Sequence, residues 1–252
     1  MEIKSIGGGA RQEYAKAALG GIPSTARFSQ VLLLPVPTSR DKKYITGTNV
    51  DFSSAAELAD SGTLLVGYGI PEELSLLSAA RGAEIYDLAL DEDFLADNAR
   101  LTAYAALGRI LSDIPRELSE LSVGVVGYGR IGSRLASLLL FLGARLRVYT
   151  RRESVRLELC EAGIGAELLS GDSDFSDIDL LINTAPARVM SDERFFSLPA
   201  ELMIIELASG RNFPPSDRVT VLPSLPERVY PVSASRIYAE CIRARLCGEV
   251  GE

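Results

Sequence analysis

The sequence predicts an α/β protein of two doubly wound parallel-sheet domains, the second built to hold a dinucleotide. Three observations carry this expectation. Short apolar runs alternate with helical stretches along the chain, a Gly-x-Gly-x-x-Gly turn follows one such run and opens a helix, and 252 residues suffice for two cores.

The first half opens with a strand at 3–6 and a glycine turn, Gly7-Gly8-Gly9, from which a helix starts at Ala10 and Arg11. Strands follow at 31–34, 63–66 and 83–86, with Pro35, Pro37, Thr38 and Ser39 forming a rigid polar loop after the first of them. A bridging helix is expected over 97–111, capped by Asp97 or Asn98, with Leu101, Ala105 and the 107–111 stretch on its buried side. Strands in the second half are expected at 123–126, 146–149, 166–169, 180–183, 203–207 and 219–222, the number a full dinucleotide-binding sheet requires. A last helix over 233–246 packs back on the first half. The expected domains are therefore 1–96 with 233–252, for substrate or partner, and 97–232, for the nucleotide; the active cleft is expected between them.

The nucleotide turn runs Gly127-Tyr128-Gly129-Arg130-Ile131-Gly132 after the apolar run that ends at Val126. Gly127 permits the tight turn, Gly129 lets the backbone approach a pyrophosphate, and Gly132 lets the helix lie close to the strand. Amide N–H groups at the helix start attract the phosphate charge. Ile131, Leu135, Leu138, Leu139 and Leu142 recur at helical spacing, and Gly143 ends the helix. This is the Rossmann arrangement.

A fold of this kind that prefers NAD places a carboxylate at the end of its second strand, about 20 residues past the first glycine. Thr150, Arg151 and Arg152 stand there instead, and two guanidinium groups suit a 2′-phosphate. NADP is the expected cofactor. Glu153, one residue on, keeps NAD open. Asn183, Thr184, Ala185 and Pro186 at the end of the fourth strand, and Ser209 after the fifth, are the further expected cofactor contacts.

Composition narrows the chemistry. The net charge of −8 speaks against a nucleic-acid surface, and the longest apolar run, 135–144, is too short to cross a bilayer. The N-terminus lacks the basic head and apolar stretch of a secretory signal, so the expected location is the cytoplasm. Cys160, Cys241 and Cys247 form no C-x-x-C pair and read as reduced thiols. The chain contains no histidine, which excludes Ser-His-Asp hydrolysis, His-ligated metals and histidine-dependent 2-hydroxy-acid dehydrogenation.

Arg11, with the N–H groups of Gly8, Gly9 and Ala10, is a candidate for one carboxylate of a dianionic substrate; an exposed arginine at a helix start is the alternative. Pro37 and Thr38 are candidate substrate contacts at a strand end, and Arg211 is a second candidate for a carboxylate, against an exposed arginine. Glu206 stands inside an apolar run, where an ionised carboxylate needs a partner or water.

The chain as a whole resembles the family of the dipicolinate synthase A subunit. Ile6-Gly7-Gly8-Gly9-Ala10-Arg11-Gln12 is similar to that family's I-G-G-D-A-R-Q, and Leu34-Pro35-Val36 to its L-P-V. Ile182-Asn183-Thr184-Ala185-Pro186, Leu207-Ala208-Ser209 and Leu225-Pro226 are similar to its I-N-T-x-P, L-A-S and L-P-G segments. The resemblance implies an oxidoreductase of spore-forming bacteria that uses NADP or NAD to oxidise a dihydropyridine dicarboxylate to dipicolinate. It also implies partnership with a flavoprotein B subunit; the chain itself is expected to form a homo-oligomer.

The departures are equally specific. Where the family has P-T-x-E-G, this chain has Leu101-Thr102-Ala103-Tyr104-Ala105, so a carboxylate gives way to Tyr104. Thr102 and Tyr104, with Arg11, are then the candidate catalytic residues. The family's L-P-G-x-x-A-P segment has become Leu225-Pro226-Glu227-Arg228-Val229-Tyr230-Pro231, and the first domain is short between Leu19 and Phe28. A nucleotide-binding protein without turnover is the competing expectation.

Overall fold

The computed structural model describes residues 1–22, 27–210 and 212–248. The expected substrate contact Arg211 lies outside the described residues. Contacts divide the chain into one unit of 1–98 with 226–252, and a second of 99–225.

In the first unit the elements are β1 (Glu2–Ser5), α1 (Ala10–Leu19), β2 (Gln30–Leu33), α2 (Phe52–Ala56), β3 (Thr63–Gly67), α3 (Glu72–Ala80), β4 (Glu84–Asp87) and the start of α4 (Glu92–Asp113). The four strands are parallel and lie side by side in chain order. β2 and β3 are buried along their whole length, which suits central strands covered on both faces.

The bridging helix starts five residues before the expected Asp97. Asp91 is its cap: the carboxylate accepts the Phe94 N–H at 2.7 Å, and Glu92 and Asp93 fill the first turn, where the helix dipole favours negative charge. Asp97 and Asn98 therefore sit inside the helix. Its buried side is made by Phe94, Leu101, Ala103, Ala105, Ala106 and Ile110, whereas Leu111 is exposed, so the 107–111 stretch is not a buried run. At 3.6 residues per turn, consecutive residues point to different sides. α2 escapes an apolar-periodicity reading because it is barely one turn long; Asp51 caps it by accepting the Ser54 N–H at 2.7 Å.

The second unit continues with β5 (Ser122–Val126), α5 (Arg130–Phe141), β6 (Arg145–Thr150), α6 (Glu153–Glu161), β7 (Gly165–Leu168), β8 (Leu180–Asn183), α7 (Asp192–Ser197), β9 (Met203–Glu206) and β10 (Val219–Val221). All six strands are parallel, in the order β10-β9-β8-β5-β6-β7. The order reverses at β5, so the switch point of this sheet lies between β5 and β8, where such sheets meet their ligands. Two parallel sheets with alternating helices make the chain an α/β protein.

The chain then returns to the first unit through α8 (Leu225–Val229) and α9 (Pro231–Cys247), the latter beginning two residues ahead of the expected 233. Pro231 opens α9, where a missing N–H costs nothing, and Gly248 ends it in the left-handed region, φ 77°. Ala234, Tyr238 and Ile242 recur on its buried face, and α9 packs on α1. The Tyr238 hydroxyl donates to the Leu34 carbonyl at 3.1 Å, and Arg243 donates to the Ala18 carbonyl at 2.9 Å, fixing the helix at the sheet.

Among the described residues no helix is long and apolar enough to cross a membrane, and no cluster of ligand side chains could hold a metal. The three cysteines are free.

Candidate functional sites

In the nucleotide unit, β5 delivers the chain to Gly127, whose φ of 90° lies in the region that favours glycine. A Cβ there would fall 2.8 Å from Thr184 Oγ1. A Cβ on Gly132 would be driven into the Gly127 carbonyl oxygen, so the first turn of α5 sits directly against the strand end. Gly129 differs. It precedes α5 with an ordinary φ of −97°, and nothing lies within 4 Å of the place its Cβ would take. Backbone geometry thus requires two of the three glycines, while the third faces open space at the start of a 12-residue helix whose first turn no side chain caps. Residues 127–132 thus form a tight turn that leaves its middle glycine and the helix start open.

The neighbouring strand ends complete the wall. Val126 of β5 pairs with Asn183 of β8, which pairs with Glu206 of β9. Thr184 Oγ1 donates to the carbonyls of Val126 and Gly127 at 3.0 and 3.3 Å, tying the β8 loop to the glycine turn. Asn183 is completely buried. Its Nδ2 donates to Glu206 at 2.9 and 3.1 Å and to the Ala185 carbonyl at 3.1 Å, and its Oδ1 accepts the Ala185 N–H. Of the expected cofactor contacts, Asn183 and Thr184 therefore hold the loop in place with their side chains, while Ala185, Pro186 and Ser209 are left with surface at the mouth.

Glu206 does not face water. It is 2% exposed, accepts from Asn183 and from the Ala208 N–H at 2.8 Å, and burial pushes its carboxyl above the usual carboxylate range against the pull of Asn183, Ala208 and Asn212. It locks the ends of β8 and β9.

At the end of β6, Thr150 is buried while Arg151 and Arg152 are exposed. Arg152 folds back over the glycine turn and donates to the Tyr128 carbonyl at 2.6 Å; Arg151 donates to the Arg188 carbonyl at 3.1 Å. Glu153 is turned along its own helix instead, gripped by Arg156 through two hydrogen bonds of 2.6 and 2.8 Å. The carboxylate that kept NAD open is thus already paired.

In the first unit, a pocket of about 180 Å³ opens at the N-terminus of α1, lined among others by Gly8, Gly9, Arg11, Thr46 and Glu227. Arg11 is not the exposed arginine of the alternative reading. It is 4% exposed, lies 5.9 Å from the centre of the Phe94 ring, and gives one hydrogen bond of 3.4 Å to Asn98. Its Nε and Nη1 are buried without a partner, and so is the Thr46 hydroxyl. A buried cation with vacant donors is costly, and burial lowers the Arg11 pKa below its ordinary value while Glu227 and Tyr238 hold it up. An anion in the pocket would offset that cost. Nothing in the sequence marks Thr46 for this place, because the loop that carries it meets the glycine turn before α1 only in the folded chain.

Thr38 and Pro37 stand apart from this pocket's lining. Thr38 is fully buried and its hydroxyl accepts the Tyr68 N–H at 2.9 Å, while its own N–H donates to the Tyr68 carbonyl. The hydroxyl of Thr38, an expected substrate contact, ties the β2 loop to the end of β3. Gly8 and Ala10 are exposed at the start of α1. In the second unit Thr102 is buried and already partnered, and Tyr104 is 43% exposed.

Residues 98–222, all but the edges of the second unit, match the family model of the D-isomer specific 2-hydroxyacid dehydrogenase, NAD binding domain. The A subunit of dipicolinate synthase from Bacillus subtilis (strain 168) is 29% identical over 140 residues, a stretch that is 51% of this chain and 46% of that protein. The chain resembles the dipicolinate synthase A subunit. The match spans about half the length of this curated relative. The crystal structure of the same subunit from Bacillus halodurans gives a TM-score of 0.78 at 21% identity, covering 97% of both chains. Its counterpart from Bacillus subtilis gives 0.78 at 19%, covering 99% of this chain and 98% of that one. At these identities the two structures establish the fold. The match to an NAD binding domain, with the open glycine turn, supports a nicotinamide-dinucleotide site in the second unit.

Proposed function

We propose that the chain is an NADP-dependent oxidoreductase of the dipicolinate synthase type, which oxidises a dihydropyridine dicarboxylate to the aromatic pyridine dicarboxylate. The observation that carries the cofactor choice is the Arg152 side chain lying over the glycine turn while Glu153 is held by Arg156. A 2′-phosphate at the strand end meets two exposed guanidinium groups there, whereas a bare ribose finds no unpaired carboxylate.

NADP⁺ would supply the hydride acceptor: a ring C–H gives up hydride, a proton leaves the ring, and the products are pyridine, NADPH and H⁺. The residues of this chain do the positioning. Gly129 and the first turn of α5 hold the pyrophosphate, Thr184 and Asn183 fix the loop whose Ala185 and Pro186 border the cofactor, and Ser209 lies after β9 on the same rim. Arg11, with Gly8, Gly9 and Ala10 at the start of α1, binds a substrate carboxylate. Tyr104 is the exposed phenol able to hydrogen-bond a ligand; Thr102, buried beside it in sequence, supports the helix. Aromatisation is downhill, so orientation replaces the strong base that a chain without histidine lacks.

The relatives are the A component of a synthase, and this supports a complex with a second component, which we take to be a flavoprotein. In this reading the chain is itself a homo-oligomer and works in the cytoplasm. Calorimetric titration tests the cofactor: NADPH should bind at least about tenfold more tightly than NADH, and Arg152→Glu should reverse the order. Equal affinities would defeat the NADP assignment. Turnover of a dihydrodipicolinate precursor, with and without the flavoprotein, tests the reaction. The replacement of the family carboxylate by Tyr104 supports a second reading, a protein that binds nucleotide without turnover; NADPH binding with no product in either assay is its signature.

A further inference from the structure

We infer that Glu227 recognises a hydrogen-bearing nitrogen next to the substrate carboxylate, so that the pocket on α1 takes carboxylates with an adjacent N–H and discriminates against the aromatic product. The inference deepens the proposed function and rests on Arg11 binding a carboxylate.

The pocket holds both signs of charge. Arg11, whose Nε and Nη1 are buried and unpartnered, and Thr46, whose hydroxyl is unpartnered, both line it. Nη1, beside an Nη2 held only by the 3.4 Å bond to Asn98, can take a carboxylate at the end of the guanidinium. Glu227 lines the same space from α8. Its Oε1 reaches over Gly9 so closely that a Cβ at that glycine would lie 2.8 Å away, and its charge is felt at Arg11. A side chain at Gly9 would displace only the far end of Glu227, and the Gly9 backbone, with φ of −133°, is one any residue adopts.

A cationic donor set and a carboxylate acceptor in a pocket of about 180 Å³ are the complement of a small molecule with an anion and a hydrogen-bond donor side by side. A ring nitrogen bearing hydrogen, adjacent to the carbon that carries the carboxylate, supplies the donor; a dihydropyridine carboxylate in its N–H form is such a molecule, and so is a cyclic α-amino acid. An aromatic pyridine carboxylate is not. Its nitrogen carries a lone pair in the same place, which faces the Glu227 oxygens as one acceptor against another and leaves the carboxylate desolvated without a partner. Glu227 therefore selects the reduced ring at entry and weakens the hold on the ring once it has become aromatic.

Two probes share ring size and carboxylate position and differ at the ring heteroatom: pyrrole-2-carboxylate, with a neutral N–H, and furan-2-carboxylate, with an oxygen lone pair in its place. Calorimetry or ligand-observed NMR at neutral pH should show the full chain binding the first at least about tenfold more tightly, a difference of about 1.4 kcal/mol. Glu227→Gln, isosteric and part-exposed, should erase that preference by weakening the first probe and strengthening the second, with the melting temperature unchanged. Arg11→Gln should weaken both alike, and Arg11→Lys, which keeps the charge, should restore part of the binding. If both probes bind through Arg11 but their ratio is the same in Glu227→Gln, the inference fails and the carboxylate assignment stands. If neither probe binds the unaltered chain at millimolar concentration, or if Arg11 variants bind like it, both are overturned.

Discussion

Gly129 offers a substitution whose effect on the ligand can be separated from its effect on the fold. Its φ of −97° is open to any residue, it is exposed, and the position of its missing Cβ is empty to 4 Å. Gly129→Asp should fold as well as the unaltered chain. In the presence of a dinucleotide, however, the new carboxylate would stand within about 4 Å of the pyrophosphate, where two unit charges near a protein surface repel by about 4 kcal/mol. Screening at physiological salt trims this, so NADPH affinity should fall by roughly 10²- to 10³-fold, at about 1.4 kcal/mol per decade. Gly129→Asn, with the same shape and no charge, separates the two causes and should lose only the steric share. Fluorescence titration of NADPH, with melting curves of each variant recorded without ligand, measures both quantities. Retention of full affinity by the aspartate variant, at an unchanged melting temperature, would refute the cradle itself.

Other substitutions act on the fold around the two sites. Gly132→Ala should destabilise the second unit by about 1–3 kcal/mol in denaturant titration, because its methyl group must displace the Gly127 carbonyl and the Thr184 hydroxyl; a loss below a few tenths would mean that α5 does not sit on the strand as described. Thr38→Val should cost about 1–3 kcal/mol by leaving the Tyr68 N–H without its acceptor, with no change in the affinity of carboxylate probes. Weaker probe binding at unaltered stability would return Thr38 to the substrate site. Glu206 titrates above the usual carboxylate range because it is buried. The folded chain then holds its proton where the unfolded chain has lost it, so stability is highest below the unfolded value, falls as pH rises from about 4 towards the folded value, and stays lowered above it. Glu206→Gln removes this proton, and its melting temperature should vary less than the unaltered chain's between about pH 4 and 7; parallel curves would show that burial does not perturb Glu206.

The glycine turn was legible in the sequence because its demand is local: a strand end, a positive φ and a helix start must follow one another within a few residues, and each needs a residue type that can be read in place. The start of α4 was less so. Asp91 and Asp97 are both adequate caps by type, and the choice between them was decided by Phe94, whose burial extends the helix back by more than a turn. Arg11 lay open between exposed and functional readings for a related reason, since its burial comes from residues as distant in the chain as Phe94 and Asn98.

Asn183 and Glu206 show most clearly what one-dimensional reading omits. Each can be noticed alone, the amide as a cofactor contact and the carboxylate as an oddity in an apolar run, but their meaning lies in register: β8 and β9 pair residue 183 with residue 206, so the odd carboxylate and the amide close one hydrogen-bonded unit at the switch point. A buried acid at that place has its cost offset by the Asn183 and Ala208 donors, and the loop bearing Thr184 is at the same time pinned to the carbonyls of Val126 and Gly127. The glycine turn is then held by a pair of polar side chains one strand removed from it, which is why a turn with two sterically required glycines can leave its third, Gly129, facing open space.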